Sequence, residues 1–339
     1  MITVLNPGLF TTVQDYGRWG YQAFGMPVAG AMDRYAFRLA NILAGNADNA
    51  AVLEMTLRGG SFRFEQDCLV AVCGADMQGM LNGQKIRNWS SFWVPAGSEL
   101  TFDYAVTGCR AYLAVHGGID IPIVLGSRST YTRAGVGGYQ GRQLQTGDQL
   151  PVGCEGKYLA VPRHLPEQFI PQYGNHVQLR VLLGPQDDLF TTKGIDTLFT
   201  AVYTISSEAD RMGYRLEGEK IEHSGKPDIV SDALCLGAIQ VPGHGMPIVM
   251  MADRQTTGGY AKIGTVIGPD LPKLAQAKPG DTVSFVRCTD EEAVAALRVE
   301  QQTYAQIQAI WAADYASRPT RVFNVKIGEQ TYRVEITEV

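Results

Sequence analysis

Residues 240–260 read QVPGHGMPIVMMADRQTTGGY, a short apolar run between two turn-rich flanks. The run 248–252 has the length of one strand, and glycine and proline residues precede it. After it the chain passes directly into acidic, basic, amide and hydroxyl side chains, beginning with Asp253. Because polar groups at the end of a rigid strand suit a binding site, this stretch predicts both a strand and a candidate site.

The same pattern continues along the chain in both directions. Runs rich in valine, isoleucine, leucine and aromatic residues are separated by turn residues, and 38 glycines are spread among them. The runs are 2–5, 68–73, 91–94, 110–115, 177–183, 248–252 and 282–286. Closely spaced short strands are typical of antiparallel sandwiches and barrels, so we predict a mainly β fold.

Two segments depart from the β pattern. Residues 33–44 open with Asp33, which can cap free helix amides, and their apolar spacing predicts one short helix. Residues 290–316 open with three acidic residues, which favour a helix N-terminus, and predict a long helix. Its expected apolar stripe comprises Val294, Leu297, Tyr304, Trp311 and Tyr315. We expect this stripe to pack on the chain itself, and presentation to a partner is the alternative.

The sequence also contains a predicted terminal hairpin and a weak internal repeat. Residues 321–339 alternate between apolar and polar side chains around Gly328, which predicts a β-hairpin. The order of short motifs in 127–148 recurs with different spacing in 253–281, so either a duplication or chance similarity explains it. We predict two β domains at 1–162 and 163–289, with the helix and hairpin at 290–339. The proline-rich stretch 162–174 is the expected linker.

Composition excludes several classes of function. The 339 residues carry a formal net charge of −5 without a long run of one sign, so the attraction that drives nucleic-acid binding is missing. No apolar run approaches the roughly 20 residues that span a bilayer, and the N-terminus lacks a secretory signal pattern, so we expect a cytoplasmic protein without membrane or nucleic-acid contacts. The six cysteines and five histidines are dispersed, so we expect neither a disulfide framework nor a metal site.

Three segments rich in polar residues and glycine, here called the polar strings, are the candidates for a functional site, because the chain lacks the standard motifs. The chain contains no GxxxxGK[ST], HExxH or GxSxG sequence. The strings are 11–33, 207–215 and 240–260. In the second, Arg211 and Arg215 lie close together in sequence, and guanidinium groups bind carboxylate or phosphate in a bidentate way. A structural salt bridge is the alternative interpretation.

These strings resemble those of one protein family. The segments are TTVQDYGR (11–18), GAMD (30–33), AN (40–41), LE (53–54), GSRST (126–130), RMG (211–213) and DRQTTGGY (253–260). In this order they resemble the KipA-like family, also called allophanate hydrolase subunit 2 and biotin-dependent carboxyltransferase-like. The resemblance extends over about residues 1–292 and implies two cyclophilin-like β-barrel domains.

Within that family, a separate chain of this length most resembles the 5-oxoprolinase C subunits. The resemblance implies a partnership with a KipI-like B subunit and with an A subunit, which together hydrolyse 5-oxo-L-proline to L-glutamate at the expense of ATP. The ATP site is then at an interface between chains or elsewhere in the complex. One alternative is the carboxyltransferase component of a biotin-dependent urea carboxylase and allophanate pathway. Another is a KipA-like regulator that binds a KipI-like kinase inhibitor.

The tail bears on the carboxyltransferase alternative. Residues 323–336 resemble the first hairpin of a biotin-carrier region. The chain contains no AMKM attachment sequence, so we expect no biotin on this chain, and a carrier on another chain would have to supply it.

The implied chemistry suggests roles for individual residues. A five-membered lactam is a stabilised amide, and we hypothesise that its carbonyl oxygen is phosphorylated before water attacks. Arg211 or Arg128 would pair with the substrate carboxylate, Asp253 would act as a base or orient water, and Tyr260 would close the pocket. Groups expected to hydrogen-bond the carbonyl belong to Gln240, Gln255, Thr256, Thr257, Gly258 and Gly259. The facing wall or a contact with another chain is expected from Gln14, Asp15, Arg18 and Asp33.

Overall fold

The N-terminal half consists of two antiparallel sheets that pack face to face. The structure, a computed structural model, describes residues 1–153, 161–317, 320–328 and 330–337. The first sheet contains, in spatial order, β11 (Gln149–Leu150), β1 (Ile2–Asn6), β4 (Ser61–Phe64), β9 (Glu99–Thr101), β6 (Met80–Leu81) and β7 (Gln84–Lys85). The second contains β2 (Phe10–Gln14), β3 (Val52–Thr56), β10 (Thr107–Val115), β5 (Cys68–Asp76) and β8 (Ser90–Val94). Inward side chains such as Val4, Phe62, Val70 and Leu113 are fully buried in one core between the sheets.

The C-terminal half is a closed seven-stranded barrel. Its strands, in order around the barrel, are β12 (His176–Leu183), β19 (Lys262–Val266), β16 (Ala238–Gln240), β17 (Ile248–Met250), β14 (Gly213–Glu217), β13 (Val202–Ile205) and β20 (Thr282–Arg287). A parallel pairing of β20 with β12 closes the ring. Along β12 the buried residues Val177, Leu179 and Val181 alternate with more exposed polar ones, as the pleat of a barrel wall requires.

Two small ribbons lie outside these sheets. β15 (Asp228–Ala233) pairs with β18 (Thr257–Tyr260), and β21 (Thr320–Ile327) pairs with β22 (Gln330–Thr337). The second ribbon is the hairpin that the alternating tail predicts. The predicted mainly β fold with a long helix and a terminal hairpin is therefore confirmed. The C-terminal half is a closed barrel, and the core of the N-terminal half lies between two sheets. The division at 1–162, 163–289 and 290–339 stays a prediction.

The described residues contain four α-helices, α1 (Arg34–Leu43), α2 (Thr192–Thr200), α3 (Leu271–Ala275) and α4 (Asp290–Ser317). Short 3₁₀ helices lie at Gln22–Phe24, Thr132–Ala134, Glu167–Phe169, Asp187–Leu189 and Gly268–Asp270. Asp33 caps α1 as predicted, because its Oδ1 accepts a hydrogen bond from the Ala36 amide at 2.9 Å. No helix of the described chain is both long enough and apolar enough to cross a bilayer.

Helix α4 joins the two halves, but its buried face differs from the predicted stripe. Near the barrel the buried residue is Ala293, which contacts the cluster of Ile267 and Cys288, and this short side chain lets the helix approach closely. Val294 and Leu297 are exposed instead, so the prediction for this part of the stripe was wrong. Farther along, Tyr304, Ile307 and Trp311 are buried against α1 and its neighbours, so packing on the chain itself is confirmed. The Tyr315 side chain lies outside the described residues.

Five of the six cysteines lie within the described residues. Cys73, Cys109, Cys235 and Cys288 are free thiols, Cys68 is buried, and Cys154 lies outside the described residues. Within the described ranges, no group of three or more histidine, cysteine, aspartate or glutamate residues has a geometry that would hold a metal ion.

Candidate functional site

A buried ionic cluster joins the two halves. Arg211 donates from Nε and Nη2 to the two carboxylate oxygens of Asp253, at 3.0 and 2.9 Å. Its Nη1 donates to Glu54 on β3, and Nη2 also donates to the Gly30 carbonyl at 2.6 Å. The three charged residues are at most 8% exposed. Since Glu54 and Gly30 belong to the N-terminal half, these bonds set the position of one half against the other.

The charge state of this cluster follows from burial and pairing. Burial raises the pKa of Asp253, and the Arg211 guanidinium opposes that shift. Burial acts to lower the pKa of Arg211, but Asp253 and Glu54 outweigh it and raise that pKa, so the guanidinium stays charged. All three guanidinium nitrogens already donate to protein acceptors. Arg211 is therefore engaged in the interface, and both oxygens of Asp253 are engaged by Arg211.

A second buried contact between the halves depends on Gln276, just after α3. Its Oε1 accepts from the Cys109 and Arg110 amides at 3.0 Å each, and its Nε2 donates to the Arg110 carbonyl at 2.8 Å and to Asp33 Oδ2 at 2.7 Å. Arg110 in turn donates from Nη1 to the Tyr214 hydroxyl at 2.7 Å. Sequence reasoning missed Gln276 and Arg110, since nothing in their local pattern distinguishes them. Glu54 belongs to the LE motif (53–54), which predicts no role for it, although a carboxylate inside an apolar strand is itself a signal of a buried charged partner.

Asp33 lies in this interface and not in a wall facing Asp253. It caps α1, contacts Gln276 and lines a cavity of about 970 Å³ between the linker, the barrel and α4. Burial raises the pKa of its carboxyl to about 6, against hydrogen bonds from Ala36 and Gln276 that lower it. Of the residues predicted from sequence to form the site, Asp33 alone lines this larger cavity among the described residues.

This carboxyl should make stability depend on pH. Because the folded pKa lies above the unfolded value of 3.8, the stability that Asp33 contributes is fully present below that value and is lost as pH rises through about 6. Relative to Asp33→Asn, the wild-type chain should lose on the order of 1–3 kcal/mol of unfolding free energy between pH 4 and pH 7. Urea unfolding at both pH values measures the difference, and Asp196→Asn on the exposed side of α2 is the matched control. A wild-type advantage that grows with pH would contradict the assignment.

A smaller cavity of about 410 Å³ gathers several residues of the predicted site. Gln240, Gln255 and Tyr260 line it. The other lining residues are Arg133, Glu208, Asp210, Met212, Gly213, Arg215, Pro242, His244, Ile248 and Met250. Gln255 presents a buried Oε1 that accepts no hydrogen bond from the described residues. A buried acceptor without a donor is costly, so this oxygen is suited to accept an N–H from a bound molecule.

Gln240 is held rigidly at the cavity wall. It is 2% exposed, and its Nε2 donates to the Tyr260 carbonyl at 3.2 Å. A Cβ on Gly258 would lie 2.5 Å from that Nε2, so a larger residue at this position would displace the amide. Thr257 and Gly258 pair with Ala233 and Asp232 on β15, so the predicted string forms a ribbon beside the cavity.

Two arginines line the small cavity, and each forms only an exposed, weak ion pair. Arg215 Nε lies 3.3 Å from Glu208, and Arg133 Nη2 lies 3.1 Å from Asp210, with all four side chains at least half exposed. Exposed ion pairs of this kind contribute roughly 0–1 kcal/mol, so an incoming carboxylate can replace the protein acid. The pair of Arg133 with Asp210 also bridges the two halves. Arg215 and Arg133 are therefore the guanidinium groups available to a ligand.

Four other predicted site residues, Gln14, Asp15, Arg18 and Arg128, form hydrogen bonds that hold the segment 120–130 in place. Asp15 accepts from the Ser127 hydroxyl at 2.6 Å and the Arg128 amide at 2.6 Å, and Arg18 Nη2 donates to the Ser129 carbonyl at 2.7 Å. The side chain of Arg128 donates to Ile121 and Asp120, and Gln14 donates to Thr130. Gln14, Asp15 and Arg18 are buried, and none of the four lines the small cavity. Gln14, Asp15 and Arg18 are therefore not a wall of this cavity, and the contact with another chain that was the alternative for them stays a prediction. Arg128, which was expected to pair with a substrate carboxylate, pairs with Asp120.

The protein combines a closed barrel with a two-sheet half. Buried charges bind the two together, and a polar cavity lies where they meet. The family described as "Carboxyltransferase domain, subdomain A and B" matches residues 24–287, and the chain belongs to this family. The resemblance drawn from the motifs is confirmed.

Two full-length proteins and one crystal structure are similar to this chain. The chain is 39% identical to the C subunit of 5-oxoprolinase from Escherichia coli (strain K12), over 91% of this chain and 97% of that protein. The corresponding protein of Haemophilus influenzae is 38% identical over 90% and 96%. In the crystal structure of the K. lactis urea amidolyase, a region 32% identical superposes with a TM-score of 0.83, covering 89% of this chain but only 19% of that one.

Proposed function

We propose that this chain is one component of an ATP-dependent 5-oxoprolinase complex that converts 5-oxo-L-proline to L-glutamate in the cytoplasm. The observation that carries the proposal is the match over nearly the full length of two proteins named as 5-oxoprolinase C subunits. The partners in the complex are a KipI-like B subunit and an A subunit, and the complex as a whole binds ATP.

The small cavity supports the proposal by its chemistry. The substrate is a compact lactam with one carboxylate, and about 410 Å³ is ample for it. Arg215 binds the carboxylate, and the unpartnered Gln255 Oε1 accepts the lactam N–H. Gln240 and Tyr260 border the ring and limit its movement. We move the carboxylate contact from Arg211 to Arg215 because the nitrogens of Arg211 already donate to Asp253, Glu54 and Gly30.

In the proposed reaction, ATP transfers its γ-phosphoryl group to the lactam carbonyl oxygen and leaves as ADP. A first water then adds to the ring carbon, the C–N bond opens as the nitrogen takes a proton, and a second water hydrolyses the resulting acyl phosphate to glutamate and phosphate. In this scheme the present chain holds the lactam in one orientation. Asp253 and Arg211 act as positioning residues, because the Asp253 amide donates to the Arg211 carbonyl at 2.8 Å and so anchors the segment that carries Arg215.

The structural match to the urea amidolyase favours one second candidate, a biotin-dependent carboxyltransferase. In that role the same cavity would hold a small amide as carboxyl acceptor. The chain has no AMKM sequence, so a carrier protein would have to deliver the biotin.

Reconstitution with the purified A and B subunits tests the proposal. Glutamate should form from 5-oxoproline only when ATP and all three chains are present. Urea with bicarbonate and a biotinylated carrier is the contrasting substrate set. Glutamate formation that continues without this chain would overturn the proposal, and carboxylation of urea without 5-oxoproline turnover would replace it with the second candidate.

A further inference from the structure

His244 lines the small cavity and lies in the loop 241–247, which joins β16 to β17. The loop contains a tight turn, because the Gly245 amide donates to the Pro242 carbonyl at 2.8 Å. The Gly245 carbonyl also accepts from the Ile221 amide at 2.9 Å, and Gly245 has a φ of 85°, a left-handed conformation that favours glycine. These bonds fix the backbone that carries His244 at the edge of the cavity.

The imidazole ring of His244 has a defined tautomer. Its Nδ1 accepts a hydrogen bond from the Met246 amide at 3.1 Å, two residues farther along the same loop. A ring nitrogen that accepts an N–H carries no proton, so the proton of the neutral ring is on Nε2. Nε2 forms no hydrogen bond with the described residues. His244 therefore offers an N–H donor that no acceptor of the described chain uses.

This donor shares the cavity with an acceptor that also lacks a partner. Gln255 Oε1 is buried and accepts no hydrogen bond from the described residues. The volume of about 410 Å³ is near the lower end of the range for ligand sites, so a ligand that fills the cavity contacts several of its walls. A donor and an acceptor in one small cavity match a molecule that carries both a carbonyl oxygen and an N–H group.

The geometry of the amide narrows the class of ligand. A small lactam ring holds its amide in the cis form, so the N–H and the C=O point to the same side of the ring. Open-chain secondary amides are almost always trans, and their N–H and C=O point in opposite directions. A cis amide can therefore use a donor and an acceptor of the same cavity together.

We propose that His244 Nε2 donates a hydrogen bond to the lactam carbonyl oxygen of the bound substrate, and that His244 is thereby a specificity-determining residue for cyclic amides. This inference rests on the proposed function, which supplies the substrate and places its N–H on Gln255 and its carboxylate on Arg215. A site that bonds each polar group of its substrate rejects analogues that leave one of those bonds unmade. The carbonyl oxygen has two lone pairs, so the bond from His244 leaves one to accept the phosphoryl group.

Two substitutions separate the donor from the contact within the loop. In His244→Asn the side-chain amide takes the place of Nδ1, but no atom reaches the place of Nε2. In His244→Gln the side-chain nitrogen extends to the place of Nε2 and remains a donor. His244→Asn should weaken the binding of 5-oxoproline to the reconstituted complex, without ATP, by about 3- to 10-fold, the size of one neutral hydrogen bond. His244→Gln should bind 5-oxoproline nearly as the wild type does.

L-Proline shows which group of the ligand His244 contacts, because its ring has no carbonyl group. His244→Asn should leave the affinity for L-proline unchanged. Calorimetry gives the Kd for 5-oxoproline, and competition against 5-oxoproline gives the Kd for L-proline. His176→Ala is the matched control, because His176 is an exposed histidine on β12 that does not line the small cavity. It should bind both ligands as the wild type does.

The outcomes separate this contact from the proposed function. Equal affinity of the wild type and His244→Asn for 5-oxoproline, in a complex that makes glutamate, would overturn the contact and leave the function standing. A loss of the same size for both ligands, not restored in His244→Gln, would show that His244 only shapes its loop and would also overturn the contact. A loss confined to 5-oxoproline, in a complex that makes no glutamate, would support the contact and overturn the function. A wild-type complex that does not bind 5-oxoproline would overturn both.

Discussion

Replacing Arg211 with leucine should destabilise the folded chain by about 3–5 kcal/mol. The substitution removes the cation between Glu54 and Asp253, both of which are at least 95% buried, and leaves two carboxylates without their charged partner. Gly30 loses its hydrogen bond as well, so the contact between the two halves weakens. Urea unfolding at pH 7 measures the loss, provided that the wild-type transition is two-state.

Arg215→Leu is the matched control, because it removes the same group from the neighbouring strand. That side chain is half exposed and its one ion pair is weak, so the change should be within about 0.5 kcal/mol. The deficit of Arg211→Leu should shrink at pH 4, since burial raises the pKa of Asp253 and its protonation removes an unpaired charge. A deficit below about 1 kcal/mol at pH 7 would show that the cluster does not hold the halves together.

Arg215→Gln should raise the KM for 5-oxoproline about 10- to 100-fold in the reconstituted complex, with little change in kcat. A charge-assisted hydrogen bond to a carboxylate contributes roughly 1.5–3 kcal/mol, and it is made equally in the bound substrate and in the transition state. Initial rates of glutamate release over a range of 5-oxoproline concentrations measure both constants.

Arg63→Gln is the control for this variant, because Arg63 is a half-exposed arginine paired with Glu65 in the other half of the chain. Its KM should equal that of the wild type. If Arg215→Gln also has the wild-type KM, the carboxylate contact belongs to another residue, and Arg133 is then the next candidate in the cavity.

Much of the secondary structure was predictable because its signals are local, although α2 and α3 were not predicted. Alternation along 177–183 specifies a barrel strand, and the Asp33 cap together with helical spacing specifies α1. The hairpin at 320–337 follows from the same alternation. The stripe of α4 was predicted only in its second part, because the short side chain of Ala293, and not the larger residues beside it, meets the barrel.

The motifs identified the family, but they did not separate residues that contact a ligand from residues that hold the protein together. Arg211 and Asp253 lie in the strongest motifs, yet Glu54, 157 positions before Arg211, makes them part of an interface. Arg215, which none of the family motifs contains, lines the cavity.

The sequence by itself determined the β fold, the two main helices, the hairpin and the family, because periodicity, caps and motif order are properties of neighbouring residues. Only the tertiary structure decided which polar side chain meets which. The burial of an ion pair and the unpartnered oxygen of Gln255 depend on distances between segments far apart in the chain. No local pattern records those distances, since the free energy of a buried charge depends on what surrounds it in three dimensions.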